Sequence, residues 1–134
     1  MRIGYRGIGL LMFASLCAAC AATPQLTANT PFRIYDSAPD AVFAASVAAF
    51  QNLGLELFKQ DKVAGYVEGG RKPAFAQGAE TVGVFIKAES SGRTKVLIDN
   101  NKALAGVMFA VDWTENLFQQ IGAELSKRPP PKIQ

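Results

Sequence analysis

TVGVFIKAESSGRTKVLIDN, residues 81 to 100, is the stretch that decides the fold. Two runs rich in β-branched and apolar residues flank the polar sequence SSGR at positions 90 to 93. Such runs, joined by a short segment that contains glycine, predict a β-hairpin. Side chains alternate along a strand, so one face of the hairpin should carry the aliphatic residues of the first run: Val82, Val84 and Ile86. The opposite face should carry Phe85 and Lys87.

A strand and a helix are predicted upstream of the hairpin. FRIY at 32 to 35 is a short strand candidate. Ser37 followed by Asp40 is typical of a helix start, and Pro39 is tolerated in the first turn because N–H groups there lack intrahelical partners. Apolar residues then recur every three or four positions and form one stripe: Val42, Phe43, Val47, Phe50 and Leu53. Gly54 is expected to close this helix.

Two more strands are predicted between the helix and the hairpin. LELFKQ at 55 to 60 alternates in the manner of a strand. Its expected faces are Leu55, Leu57 and Lys59 on one side, and Glu56 and Phe58 on the other. DKVAG at 61 to 65 predicts a turn before a strand at 66 to 68. GGRKPAFAQG, residues 69 to 78, is rich in glycine and proline and predicts a loop.

The last third of the chain leaves a choice. The uncharged run Ala103 to Val111 cannot be assigned to helix or strand by periodicity alone. Asp112 followed by Glu115 is typical of a helix start. Apolar residues four apart then share one helix face: Trp113, Leu117, Ile121 and Leu125. We therefore expect a loop or edge strand to Val111 and a helix over 113 to 126. A single long helix from about Lys102 is the alternative.

This order of elements predicts an α+β domain of the type βαββ(β)βα, with both helices packed on one face of an antiparallel sheet. The domain should span residues 32 to 126, enough for one modest core. Residues 20 to 31, small and polar with two prolines, predict an extended, mobile tether. Residues 127 to 134 form a proline-rich basic tail.

Residues 1 to 19 have the layout of a secretory signal peptide. Arg2 and Arg6 precede an uncharged apolar stretch, Gly7 to Ala22, that ends in small residues. A transmembrane helix is the alternative, but this stretch, interrupted by Gly9, is shorter than the roughly 20 residues that a bilayer core requires. Removal of residues 1 to 19 would leave twelve basic and eleven acidic residues, a net charge of +1. Because no basic face then stands out, we expect no nucleic-acid partner.

Both cysteines lie near the end of this apolar stretch. The residues Leu16, Cys17, Ala18, Ala19 and Cys20 resemble the lipobox of bacterial lipoproteins. The resemblance implies cleavage before Cys20, a diacylglycerol on its sulfur and, usually, acylation of its new amino group. The sequence departs from the family pattern at Cys17, where leucine is most common. Ala21 and Ala22 stand where an inner-membrane retention signal usually has aspartate, which implies sorting to the outer membrane on its periplasmic side.

A disulfide, a metal pair and a redox motif are the alternative roles for the two thiols. The C-x-x-C spacing fits a thioredoxin-like motif, but that motif belongs at a strand-to-helix junction. A zinc site would need two further ligands, and the chain has no histidine and no other cysteine. We therefore expect Cys20 to be a lipid-attachment site, with no metal and no cofactor.

A second resemblance covers about Tyr35 to Val67. This stretch is similar to small periplasmic lipoprotein families of unknown function and, more distantly, to the helix-grip domains of the C lipoprotein of the β-barrel assembly machinery. The shared features are the glycine that ends the helix, the aspartate turn and the sequence Ala64, Gly65, Tyr66 at the next strand. Those families have no agreed catalytic residues, so the resemblance assigns none here.

The absence of histidine weighs against catalysis, because imidazole is the commonest acid and base near neutral pH and the usual partner of a serine or cysteine nucleophile. A carboxylate pair or a serine–lysine dyad remains formally available from residues that more simply fill turns, caps or strand faces: Ser90, Lys95, Asp99, Asp112 and Glu115. We therefore expect no enzymatic activity.

Arg71 and Lys72 are the candidate surface-contact residues. They could bind an anionic lipid, glycan or protein patch, whereas a solvated loop is the alternative. The leading hypothesis is a non-enzymatic interaction or envelope-assembly module, anchored to the membrane by its lipid, with an envelope protein as partner. The alternative is a binder of a small apolar ligand or lipid in a pocket between sheet and helices, with the expected lining Val84, Ile86, Leu97 and Trp113. We expect Trp113 to be buried, whereas the sequence does not decide whether Phe109 is buried or exposed.

Overall fold

The computed structural model describes residues 23–72, 80–102 and 111–128. Its strands are β1 (Phe32–Tyr35), β2 (Glu56–Asp61), β3 (Tyr66–Arg71), β4 (Glu80–Ala88) and β5 (Thr94–Lys102). Its α-helices are α1 (Pro39–Asn52) and α2 (Thr114–Ser126). The strands form one antiparallel sheet in the order β1-β5-β4-β3-β2. Both helices pack on one face of this sheet, so the predicted α+β class is confirmed.

The hairpin of β4 and β5 is the centre of the sheet. A short 3-10 turn, Ser90–Gly92, joins the two strands at the position where the sequence predicts the hairpin connection. The register places Val84 opposite Ile98 and Phe85 opposite Leu97. Val82, Val84 and Ile86 are buried under the helices, whereas Phe85 and Lys87 lie on the other face. The alternation predicted from the sequence is therefore confirmed.

The buried stripe of helix α1 is confirmed at Val42 and Phe50 but otherwise differs from the predicted one. Its fully buried residues are small apart from one aromatic ring: Val42, Ala45, Ser46, Ala49 and Phe50. Phe43, Val47 and Leu53 flank this stripe and are only partly buried. The small residues let the helix backbone approach the sheet closely. The helix ends as predicted, with Gly54 at a φ of 68°.

The predicted cap of α1 is wrong by one residue. Ala38 occupies the N-cap position and no side chain caps the helix. The carbonyl of Ser37 instead accepts a 2.6 Å hydrogen bond from the hydroxyl of Thr94, a fully buried residue at the start of β5. This bond ties the start of α1 to the sheet.

Strand β2 contains a bulge that the sequence did not reveal. Leu57 pairs with Gly69, but Lys59 pairs with Glu68, so Phe58 is the extra residue. The bulge moves Lys59 to the face opposite Leu57, and the predicted grouping of these two residues is wrong. The predicted turn is present: the carboxylate of Asp61 accepts a 2.9 Å hydrogen bond from the backbone N–H of Ala64.

Gly69, Gly70 and Arg71 belong to strand β3, not to a loop as predicted. Gly69 lies under the ring of Phe50: a Cβ atom there would be 2.7 Å from Cδ1 of that ring. Glycine therefore serves close packing between helix and strand here, not a turn. The remainder of the predicted loop, residues 73 to 78, lies outside the described residues.

Helix α2 begins at Thr114, one residue after the predicted start. A carboxylate oxygen of Asp112 accepts a 3.0 Å hydrogen bond from the N–H of Thr114. Trp113, Leu117 and Ile121 are buried as expected, together with Phe118. Because Lys102 ends β5 and Val111 to Trp113 are not helical, the alternative of one long helix is wrong. Phe109 lies outside the described residues.

Candidate functional site

The predicted lipid-attachment residue, Cys20, lies outside the described residues, but the chain just after it is described. Pro24 is buried on the sheet face opposite the helices, directly over Gly83. The backbone N–H of Gln25 donates a 2.8 Å hydrogen bond to a carboxylate oxygen of Asp99. Residues 24 to 30, called the strap below, therefore do not form the free spacer that the sequence predicts.

The far end of the strap is also fixed. The hydroxyl of Thr30 accepts a 2.8 Å hydrogen bond from the N–H of Thr27, and Thr30 itself is 9% exposed. The carbonyl of Pro31 then accepts a bond from the N–H of Ile98 and leads the chain into β1. The strap thus crosses the sheet with contacts at both ends.

Arg71 and Lys72 do not converge on one anion site. Arg71 points to the helix side, where its guanidinium carbon lies 4.7 Å from the ring centroid of Trp113. The Nζ of Lys72 instead forms a 2.7 Å ion pair with Glu56 at the edge of the sheet. Each cation therefore already has a partner within the protein. A role of the two residues in surface contact remains a prediction.

Glu80 is a site residue that sequence reasoning missed. One of its carboxylate oxygens accepts a 2.9 Å hydrogen bond from the indole N–H of Trp113, and the other accepts a 3.3 Å bond from the N–H of Val111. In the register of β3 and β4, Glu80 is directly opposite Arg71. These contacts satisfy the polar atom of a buried indole and fix the start of α2 to the sheet. A glutamate that opens a strand gives no sequence signal for this role.

Two groups define the contact between β1 and α2. Arg33 forms a 2.6 Å ion pair with Glu115 and stacks over the ring of Phe118. This ion pair lowers the pKa of the Glu115 carboxyl. The hydroxyl of Tyr35 donates a 2.7 Å hydrogen bond to the carbonyl of Phe118, and burial raises the pKa of that hydroxyl. The helix-facing residues of the edge strand therefore serve structure.

The residues weighed for catalysis are dispersed. Asp99 holds the strap, Asp112 caps α2 and Glu115 pairs with Arg33. The Nζ of Lys95 lies 4.1 Å from the ring centroid of Phe32, and Ser90 is in the hairpin turn. Within residues 23–72, 80–102 and 111–128, no three carboxylates or other metal-binding side chains cluster in a way that would hold a metal ion.

The lining predicted for a ligand pocket does not exist as a unit. Val84, Ile86 and Trp113 are packed in the core, whereas Leu97 lies on the opposite face of the sheet beside Phe85. A cavity of about 180 Å³ lies between Phe43 in α1 and the turn at Lys62, and of the four predicted lining residues Ile86 alone borders it. Its volume is below the ~300 Å³ at which sites for drug-sized ligands begin.

Neither helix of the described part is long and apolar enough to cross a bilayer. A comparison with protein-family models finds no match to this chain, and a search of curated proteins also finds none.

Proposed function

We propose that this chain is a lipoprotein anchored at Cys20 to the periplasmic side of the outer membrane, and that its domain is a non-enzymatic interaction or envelope-assembly module. The strap carries the proposal. Because Pro24 and Gln25 are docked on the sheet, an anchor at Cys20 would hold the domain itself at the membrane. A free tether would leave the domain to diffuse around its lipid.

The composition of the chain and the contacts of the described residues support a binding role. Only the lipobox-like segment contains thiols, and the chain has no histidine. The three carboxylates, the lysine and the serine considered for catalysis occupy separate positions instead of meeting in one cleft. An interaction module needs a stable surface and a fixed location: the fold supplies the surface, and the docked strap would fix the location of a domain anchored at Cys20.

Substitution of the two cysteines tests the anchor. Cys20→Ala should abolish the acyl mass on the mature protein and release it from the membrane fraction. Cys17→Ala is the matched control: it should leave anchoring intact, because cleavage before Cys20 discards this residue. Intact-mass analysis and cell fractionation provide the readout. A native protein that starts at Met1, or that carries an unmodified residue 20, would contradict the proposal.

Crosslinking in intact cells tests the interaction role. Affinity capture of the native protein should recover the same envelope protein in repeated experiments. The Cys20→Ala variant, which keeps the folded domain, controls for capture after lysis. Failure to recover any envelope protein reproducibly would contradict the proposed interaction role.

A further inference from the structure

The face of the sheet opposite the helices, called the open face, has its side chains in rows. The strand register places Phe32 beside Leu97, Leu97 beside Phe85, and Phe85 beside Tyr66. These four residues form an apolar belt across β1, β5, β4 and β3. The rings of Tyr66 and Phe85 are in contact, with centroids 4.8 Å apart. Phe32, at the edge of the sheet, is 53% exposed.

A cationic row lies on one side of this belt. Ile34, which is 46% exposed, is beside Lys95, and Lys95 is directly opposite Lys87. Like charges in directly opposed positions of a sheet repel each other, so this pair favours an external anion. Within the described residues, neither lysine forms an ion pair with a carboxylate.

The carboxylates that the strands place on the open face are engaged by the protein itself. The N–H of Ala64 donates to Asp61, the hydroxyl of Tyr66 to Glu68, and the N–H of Gln25 to Asp99. Glu56, at the β2 edge of this face, forms its ion pair with Lys72. The row that contains Lys87 and Lys95 has no carboxylate. An approaching surface therefore meets exposed apolar groups and two cations at this part of the face.

The strap brings the expected anchor to the same face. Pro24 covers Gly83, on the side of the belt away from the two lysines. Cys20 precedes Pro24 by four residues, which extend at most ~14 Å. A lipid on Cys20 would therefore insert into a bilayer within that distance of the open face.

We infer that the open face lies against the phospholipid surface, with Phe32 and Ile34 at the boundary of the acyl region and Lys87 and Lys95 on lipid phosphates. Apolar side chains bordered by lysines are what an interfacial membrane surface requires, because lysine can keep its ammonium group among the headgroups while its stem packs on apolar atoms. This inference rests on the proposed anchor for its geometry. The affinity of the face for lipid is independent of the anchor.

The orientation can be tested by lysine footprinting. The chain from residue 20 to 134 contains every core residue and has Cys20 as its one thiol, so it can be coupled to maleimide phospholipid in vesicles. The vesicles contain phosphatidylcholine with about one-third phosphatidylglycerol. Coupling should reduce acylation of Lys87 and Lys95 at least threefold relative to the uncoupled protein. Lys127, at the end of α2, should be unaffected. Equal reactivity of all three lysines on vesicles would overturn the inference.

A matched pair of variants tests affinity without an anchor. The same chain with Cys20→Ser should bind these vesicles, and K87Q/K95Q should lower its partition coefficient roughly twenty-five-fold, since each lysine near an anionic surface contributes about fivefold. K62Q/K127Q removes the same charge from the helix side, where both lysines are in exposed ion pairs, and should leave binding unchanged. If the two double variants lost vesicle affinity equally, net charge alone would explain the effect, and the inference would be refuted.

The two proposals fail differently. An unmodified Cys20 in cells, together with vesicle protection of Lys87 and Lys95, would refute the anchor and support the lipid-binding face. Protection of these lysines that appears without vesicles and rises with protein concentration would assign the face to a second copy of the chain, against the inference.

Discussion

Pro24 lies so close to the backbone of Gly83 that a Cβ atom at position 83 would be 2.5 Å from the Cβ of Pro24. The strap therefore requires a residue without a side chain at this point of β4. This pair connects the start of the described chain to the centre of the sheet.

Gly83→Val should lift the strap while the helix side of the core stays intact. The hydrogen bond from Gln25 to Asp99 would be lost, so the amide of Gln25 should exchange with solvent roughly fivefold faster or more, the equivalent of ~1 kcal/mol. Hydrogen exchange with mass spectrometry measures this. Gly122→Ala, a substitution in α2 with ordinary contact distances, should leave that amide unchanged. No change in the valine variant would show that the strap does not depend on Gly83.

Gly69→Ala should destabilise the domain by about 2 kcal/mol, because the new methyl group would meet the ring of Phe50. Phe50→Leu alone should cost about 1 kcal/mol through lost packing. The double variant should be less destabilised than the sum of the two, since the shorter leucine makes room. The recovery should be partial because the carbonyl of Glu56 also faces the new methyl group. Additive effects in urea unfolding would contradict the proposed close packing.

Glu80→Ala should cost 1–3 kcal/mol because it leaves the buried indole N–H of Trp113 without its acceptor. Glu80→Gln keeps an acceptor oxygen and should cost less. Trp113 is the one tryptophan of the chain, so its fluorescence reports both unfolding and the polarity around the ring. Equal stability of the two variants would mean that Glu80 does not hold the indole.

The domain should lose stability as the pH rises above about 10. Burial raises the pKa of Tyr35, and burial together with the hydrogen bond to Glu68 raises the pKa of Tyr66. The unfolded chain therefore releases these protons first, so the stabilisation is complete below pH ~10 and declines between that value and the folded-state pKa. Tyr66→Phe should make this decline shallower. Urea unfolding at a series of alkaline pH values would detect it, and an identical slope in wild type and variant would contradict the argument.

Local patterns were sufficient for the elements whose partners are near in sequence. The alternation around Val84 predicts the hairpin face, because the adjacent strand follows directly. The four-residue spacing of Leu117 and Ile121 predicts the buried face of α2, because a helix repeats its own geometry.

The remaining features depend on residues distant in sequence. The bulge at Phe58 arises from pairing with β3, and Gly69 is in a strand because Phe50 covers it. The packing of Pro24 requires Gly83, and the role of Glu80 requires Trp113. None of these relationships has a local signature, so sequence patterns predicted a loop at Gly69 and a free spacer at Pro24.

The bulge in β2 also prevents further strands from adding to this edge of the sheet. A regular outer strand presents an unbroken line of peptide groups that a neighbouring molecule could extend into a fibril. Here the extra residue at Phe58 interrupts that line, and the charged Lys59 follows it. At the opposite edge, β1 offers only four residues. Copies crowded side by side would therefore resist polymerising through their outer strands.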